Sequence, residues 1–251
     1  MPLIITKRHT AADLRVWAER EQTDHVRERD PEPLNRKIKR SVGAIKDFLA
    51  AGTAYVGWSG GKDSTVVAHL TRTIDPTAPV VWLRIDPWPN PETGLVSGRL
   101  STPIIEHIET VDSARLTTQD WLTTYERAWD LAWLQGLWEI KQQFGPRYIS
   151  GIRADESRDR ARRCAQWGES TTNTCAPLAW WSVDDVYQYL YRFKLPIHPA
   201  YGYSGGGSWD RTALRVDAVG LYSGIGMGRK SWEAIYYPEQ LAAIDQWCRQ
   251  A

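Results

Sequence analysis

The chain of 251 residues carries 31 Lys+Arg against 30 Asp+Glu, a formal net charge of +1, and so is not a general polyanion binder. Its 42% hydrophobic content can bury a sizeable core, and its length suits one large domain or two small ones. Cys164, Cys175 and Cys248 form no CxxC pair, which argues against a disulfide framework or a four-cysteine iron–sulfur site within one chain and fits reducing, cytoplasmic conditions.

The opening MPLIITKRHTAADLRVW has no long apolar run with a small-residue cleavage signal, and nowhere do about 18 consecutive apolar residues occur, so neither secretion nor a membrane is expected. Thr10 followed by Asp13 starts a capping-box-like helix. From Ala11 to Arg29 the stretch is charged with few apolar residues, among them Leu14, Trp17 and Val26, which predicts a solvated helical arm over residues 1–33. Pro31 and Pro33 break it. From Leu34 to Ala50, Leu34, Ile38, Val42, Ile45 and Leu49 recur every three or four residues and predict a second helix with one buried face.

Thr53 to Trp58 reads as a short strand, SGGKDS (Ser59 to Ser64) as a glycine turn, and Thr65 to Thr73 as a helix. Pro79 to Ile85 is a second buried strand, ending at Asp86 in the proline-rich loop DPWPNPETG. Ser101 to Ala114 is ambiguous. Gln119 to Phe144 predicts a long Trp- and Leu-rich helix, Arg147 to Ile152 a third strand, and Ser182 with Asp185 a capping box opening a helix that stops before Pro196. GYSGGGSW (Gly202 to Trp209) and GIGMG (Gly224 to Gly228) are glycine-dense loops, and a last helix is expected from Pro238 to Gln250. The 14 tryptophans are expected mainly as core and cleft walls.

Strand, glycine turn and helix in that order present backbone N–H groups at the positive end of a helix dipole, a ready site for phosphate. Lys62 supplies a point charge, Ser59 and Ser64 supply hydroxyls, and Asp63 is suited to hold a hydrated magnesium ion or to orient the loop. This is not a Walker A loop, because Val56 and Asp63 stand where that pattern needs Gly and Ser/Thr. Five arginines between Arg153 and Arg163 can clamp an anion, and Arg211, Arg215, Arg229 and Lys230 can complete an anionic pocket or lie on the surface. His69, His107 and His198 have no metal-ligand spacing and are read as core or surface residues.

The strand followed by SGGKDS closely resembles the PP-loop of the adenine nucleotide alpha hydrolase superfamily. Within it the chain looks most like the phosphoadenosine phosphosulfate (PAPS) reductase branch. The markers are Ser59 to Ser64, Pro91 to Thr93, Gly151 to Arg153 with Glu156, Ser157 and Arg160, Pro177-Leu178 with Trp181-Ser182, and Leu195-Pro196 leading to Tyr201. The resemblance implies an α/β fold with an open, mainly parallel sheet flanked by helices, a nucleotide-binding domain over 34–251, and a glycine-rich, loop-rich region from about 200. It further implies that Lys62 and Asp63 are catalytic and that Ser59, Gly60, Gly61, Lys62, Asp63, Ser64, Asp86, Arg153 and Arg160 bind the nucleotide.

Two departures bear on function. The ECGLH-type cysteine motif and the paired cluster cysteines of the reductases are missing, and Asp86-Pro87-Trp88 stands where relatives usually read DTG. The resemblance therefore points to an enzyme that uses ATP and Mg2+ without an iron–sulfur cluster. It would cleave the α–β bond, release pyrophosphate and adenylylate a nucleobase, nucleic acid or small anionic acceptor. A partner protein supplying sulfur or amine and a homo-oligomer are both compatible with it. The alternatives are sulfonucleotide binding or reduction and a non-catalytic nucleotide sensor.

Overall fold

Five short runs pair in parallel as one sheet: β1 (Tyr55–Gly57), β2 (Val80–Asp86), β3 (Ile105–Thr110), β4 (Tyr148–Ile149) and β5 (Thr174–Cys175), in the order β3-β2-β1-β4-β5. The computed structural model describes residues 2–27, 30–112, 124–212, 214–216, 218–221 and 229–250. Val56 sits opposite Val80 on one side and Ile149 on the other, so β1 is the buried centre. Its neighbours β2 and β4 run outward in opposite directions of chain order. The crevice at the carboxyl ends of β1 and β4 is therefore the topological switch point, where open α/β sheets place their ligands.

The helices are α1 (Ala11–Arg27), α2 (Glu32–Ala50), α3 (Lys62–Ile74), α4 (Thr93–Ser97), α5 (Thr124–Phe144), α6 (Arg158–Trp167), α7 (Val183–Arg192), α8 (Arg229–Tyr236) and α9 (Pro238–Gln250). α3 packs on β1 and on α2 and α7, while α5 packs against β2 and β3. The sheet is thus flanked by helices, as the resemblance implies. No helix among the described residues is long and apolar enough to cross a membrane.

The ambiguous stretch contains β3. It is an edge strand with Ile105 and Ile108 both exposed, so it lacks the one-sided alternation that marks a half-buried strand. The expected helix from Gln119 is present from Thr124, and its first residues lie outside the described ones, as does GIGMG. α8 follows that second glycine segment and has no expectation behind it.

The solvated reading of α1 needs correction. Trp17 and Asp13 are fully buried, with Trp17 edge-on to Tyr187 of α7. The capping box forms: the Thr10 N–H donates to Asp13 Oδ2 at 3.0 Å and the Asp13 N–H to Thr10 Oγ1 at 3.1 Å. The other oxygen, Oδ1, accepts from Ser204 Oγ, the Gly206 N–H and Tyr236 Oη at 3.1, 3.1 and 3.0 Å. One carboxylate thus ties α1, the first glycine loop and α8 together. That loop is anchored to structure instead of hanging over a ligand, and Gly205, Gly206 and Gly207 all take positive φ to present its amides.

Burial alone would raise the Asp13 carboxyl, but donors from Thr10, Gly206 and Tyr236 outweigh it and hold the pKa below its ordinary value. A depressed carboxyl contributes stability above its unfolded pKa, near about 3.9, and loses it as pH falls through the folded value. Asp13→Asn is expected to flatten the acid limb of the stability–pH profile below about pH 4, read by urea unfolding. Parallel wild-type and variant profiles there would remove Asp13 as the cause.

Candidate functional site

The SGGKDS turn leaves the carboxyl end of β1 and becomes the first turn of α3. Among the described residues, the N–H groups of Gly60, Gly61, Asp63 and Ser64 meet no protein acceptor, as expected of a helix start shaped for an anion. Ser64 Oγ donates to the Gly61 carbonyl at 3.0 Å and receives the Ser59 N–H at 3.2 Å, which closes the turn on itself. Gly60 has φ +77°, and a Cβ there would stand 2.6 Å from Thr93 Cγ2, so only glycine fits. Thr93 in turn faces His198. The Ala200 N–H donates to His198 Nδ1, so Nε2 carries the proton and points it at Thr93 Oγ1, 3.4 Å away. Burial pushes that imidazole down to about 3, and it is a neutral core residue as expected. His69 is another, half-buried with Nδ1 2.7 Å from Tyr189 Oη.

Lys62 and Asp63 sit deeper than a strand-end loop suggests. Lys62 is 5% exposed, with Nζ 4.9 Å from the centroid of the Tyr201 ring and 3.0 Å from Asp63 Oδ2. The same tyrosine accepts the Lys62 N–H on its hydroxyl at 3.2 Å. Asp63 Oδ1 accepts from Arg153 Nε at 2.6 Å. Arg153, in the loop after β4, is itself buried and also pairs with Asp155. Burial pulls its guanidinium down, but the carboxylates of Asp63, Asp155 and Glu156 outweigh that and raise it. Both oxygens of Asp63 are thus taken by cations. The carboxylate is a strut between the loops after β1 and β4, and this arrangement does not suit the expected magnesium ligand.

The seven residues Ser59, Gly60, Gly61, Lys62, Asp63, Ser64 and Arg153 come together; the other two expected site residues pair with groups outside the loop. Asp86 ends β2 with its carboxylate gripped by Arg84, Nε to Oδ1 at 2.7 Å and Nη2 to Oδ2 at 3.0 Å. Arg160 is on α6, partly exposed and paired with Glu156, and reaches Arg153 only through that glutamate. Arg211 and Arg229 are buried against Asp24 and Glu233, so they brace the C-terminal region. Arg215 alone of that group lines the cavity described next.

A cavity of about 680 Å³ opens beside the loop, inside the range of roughly 300–1,000 Å³ typical of small-molecule sites. Gly57, Ser59, Leu83 and Ser150 line its sheet side, and Trp129 and Trp133 of α5 line the other. The two indoles stack at 5.2 Å between centroids, 13° from parallel. They are cleft-lining residues the sequence did not single out. Their spacing of four was visible as one helix face, but nothing local said that this face meets a cleft.

Residues 53–226, well over half of the chain, match the phosphoadenosine phosphosulfate reductase domain family. A phosphoadenosine 5'-phosphosulfate reductase from Synechococcus is 24% identical over 165 residues, covering 60% of this chain and 71% of that protein. Three solved structures are similar to the chain at low identity. A PAPS reductase from Candida auris, solved as a phosphate complex, matches with TM-score 0.45 at 14% identity, covering 67% of this chain and 89% of its own. The U34-tRNA thiolase NcsA from Methanococcus maripaludis gives 0.47 at 13%, with 86% and 80% covered. An NMN synthetase from Francisella tularensis gives 0.46 at 14%, with 86% and 93% covered.

One expectation is corrected by these relatives. The expectation of no iron–sulfur cluster is withdrawn, because the thiolase similar to this chain is described with its [4Fe-4S] cluster. Here Cys164 and Cys175 are buried and Cys248 is half-buried. The PP-loop turn at the switch point, the aromatic cleft beside it and the match over residues 53–226 lead to one conclusion: the chain belongs to the phosphoadenosine phosphosulfate reductase domain family, within the PP-loop adenine nucleotide alpha hydrolase superfamily.

Proposed function

We propose that the chain is an enzyme that binds ATP at this crevice and transfers its adenylyl group. The acceptor attacks the α-phosphorus, the α–β bridging bond breaks, and pyrophosphate leaves. The observation that carries the reading is the row of open N–H groups at the start of α3, in a turn whose first residue, Ser59, also lines a cavity large enough for a nucleoside. Charge develops on the departing pyrophosphate, and fixed donors aimed there need no reorganisation. The Asp63–Arg153 strut holds the two loops in register, and the stacked indoles offer an apolar wall to a planar base.

Acceptors that fit an apolar, partly basic cleft are a nucleobase, a nucleic acid or a small anionic molecule, with a partner protein as the source of sulfur or amine where the product needs one. The family match favours a second reading, a sulfonucleotide ligand with reduction by a cysteine. The thiols speak against it. Burial raises Cys164 and Cys248 and pushes Cys175 up to about 11, the opposite of an activated thiolate.

The test is chromatographic. ATP with magnesium is incubated with the protein and with separate pools of small metabolites, tRNA and DNA, and AMP, ADP and pyrophosphate are quantified. Acceptor-dependent AMP and pyrophosphate are expected. Tight nucleotide binding without turnover in every pool would sink the reading and favour a sensor or sulfonucleotide ligand. Loss of sulfonucleotide reduction on replacing a single cysteine would establish the second reading.

A further inference from the structure

Away from the nucleotide crevice, three metal-ligating side chains meet where α5 crosses the edge strand. His107 and Glu109 are two apart on β3 and so share a face of the sheet. Glu139 comes from α5. Gly136, one turn before it on the helix, allows a close approach: a Cβ there would stand 2.4 Å from Leu83 Cδ1 and 2.9 Å from Glu109 Cγ, so a larger residue would displace those side chains. No spacing in the sequence announces this group, because its members come from two elements.

The geometry suits a metal better than a hydrogen-bond set. His107 Nε2 lies 3.3 Å from Glu109 Oε1 and 3.2 Å from Glu139 Oε2, and the three ligand atoms are all within 4.8 Å of one another. One ring nitrogen holds at most one proton, which cannot point well at both carboxylates. A tetrahedral ion with bonds of about 2.0–2.1 Å sets its ligands about 3.3–3.4 Å apart, close to both measured separations. Gln135 Nε2 donates to Glu139 Oε1 at 2.6 Å, orienting the carboxylate so that Oε2 remains for an ion. His107 and Glu109 are mostly covered while Glu139 is 38% exposed, which leaves a solvent side for a fourth, water ligand.

We propose that His107, Glu109 and Glu139 bind one divalent transition-metal ion of the zinc class, which pins edge strand β3 to α5. One imidazole with two carboxylates favours such an ion over magnesium, which prefers an all-oxygen octahedron. The ion neutralises two facing carboxylates and steadies the helix that carries Trp129 and Trp133.

The experiment titrates zinc chloride into the full chain, freed of metal with EDTA, by calorimetry, with thermal unfolding and the visible absorption of bound Co2+ as second readouts. The wild type is expected to bind one equivalent and to unfold at higher temperature with zinc. His107→Ala and Glu139→Gln are each expected to weaken binding by about tenfold or more and to lose the thermal shift. Glu139→Gln nearly preserves the side-chain volume, and circular dichroism without metal verifies the fold of both variants. No one-to-one isotherm in the wild type would overturn the proposal. So would isotherms unchanged in both folded variants.

Discussion

Lys62→Ala is expected to lower the rate of pyrophosphate release by about 10²–10³ with little change in thermal stability, the cost typical of removing one donor to developing charge. The side chain is buried, and Asp63 keeps its Arg153 partner when the lysine is removed. Its ammonium lies against the Tyr201 ring and Asp63, in the first turn of the helix whose N–H groups are open. Asp63→Asn should also lose turnover, but through a different route. Asp63 links two cations, and breaking it leaves Arg153 buried with Asp155 as its remaining close carboxylate. Unpairing a buried charge costs about 3–5 kcal/mol, and the surviving Asp155 pair reduces that here. The asparagine variant is thus expected to unfold at a lower temperature and to show a higher KM as well as a lower kcat, because the loops after β1 and β4 lose register. Lys62→Ala should show mainly the kcat effect. Normal pyrophosphate release from both variants would remove this loop from the chemistry.

This division of labour explains what the sequence could and could not disclose. The loop was legible because strand, SGGKDS and helix are contiguous, and every group needed for an anion lies within six residues. Arg153 was legible only as a matching position. Its actual contact, Asp63, lies 90 residues away and depends on β1 and β4 being neighbours in the sheet. Asp86 and Arg160 matched equally well as letters, yet each is engaged by an ion partner of its own, Arg84 and Glu156, instead of by the loop. The N-terminal helix misled for the opposite reason. It has few apolar residues and looks solvated, but Trp17 and the paired carboxylates of Asp13 and Asp24 bury its inner face. In β3 the covered side carries His107 and Glu109 while Ile105 and Ile108 are exposed, so the apolar alternation that would have named it a strand is missing. Local chemistry was readable; pairing between distant elements was not.

Gly151→Ala is the substitution that tests that pairing most sharply. Gly151 follows β4 and leads to Arg153, and a Cβ there would lie 2.8 Å from the Asp63 carbonyl carbon, 2.9 Å from Asp63 Cβ and 2.9 Å from the Ser64 nitrogen. Two of those atoms are backbone of the first turn of α3, and Thr65, Val66 and Val67 immediately behind them are fully buried, so the helix start cannot retreat. The loops must part instead. Overpacking of this kind costs about 1–3 kcal/mol, or roughly 2–4 °C in Tm for each kcal/mol in a chain of this size. The functional loss should exceed the stability loss, because Arg153 moves with the loop while its 2.6 Å contact to Asp63 has no slack. Nucleotide affinity is expected to fall by about tenfold or more, equivalent to at least ~1.4 kcal/mol. Gly43→Ala supplies the contrast: it lies mid-helix in α2 with nothing within 4 Å of a new Cβ. Removing a helical glycine there should stabilise the fold by about 0.5–1 kcal/mol and leave nucleotide binding unchanged. If Gly151→Ala binds nucleotide as tightly as Gly43→Ala does, the contact between the loops after β1 and β4 is not what shapes the site.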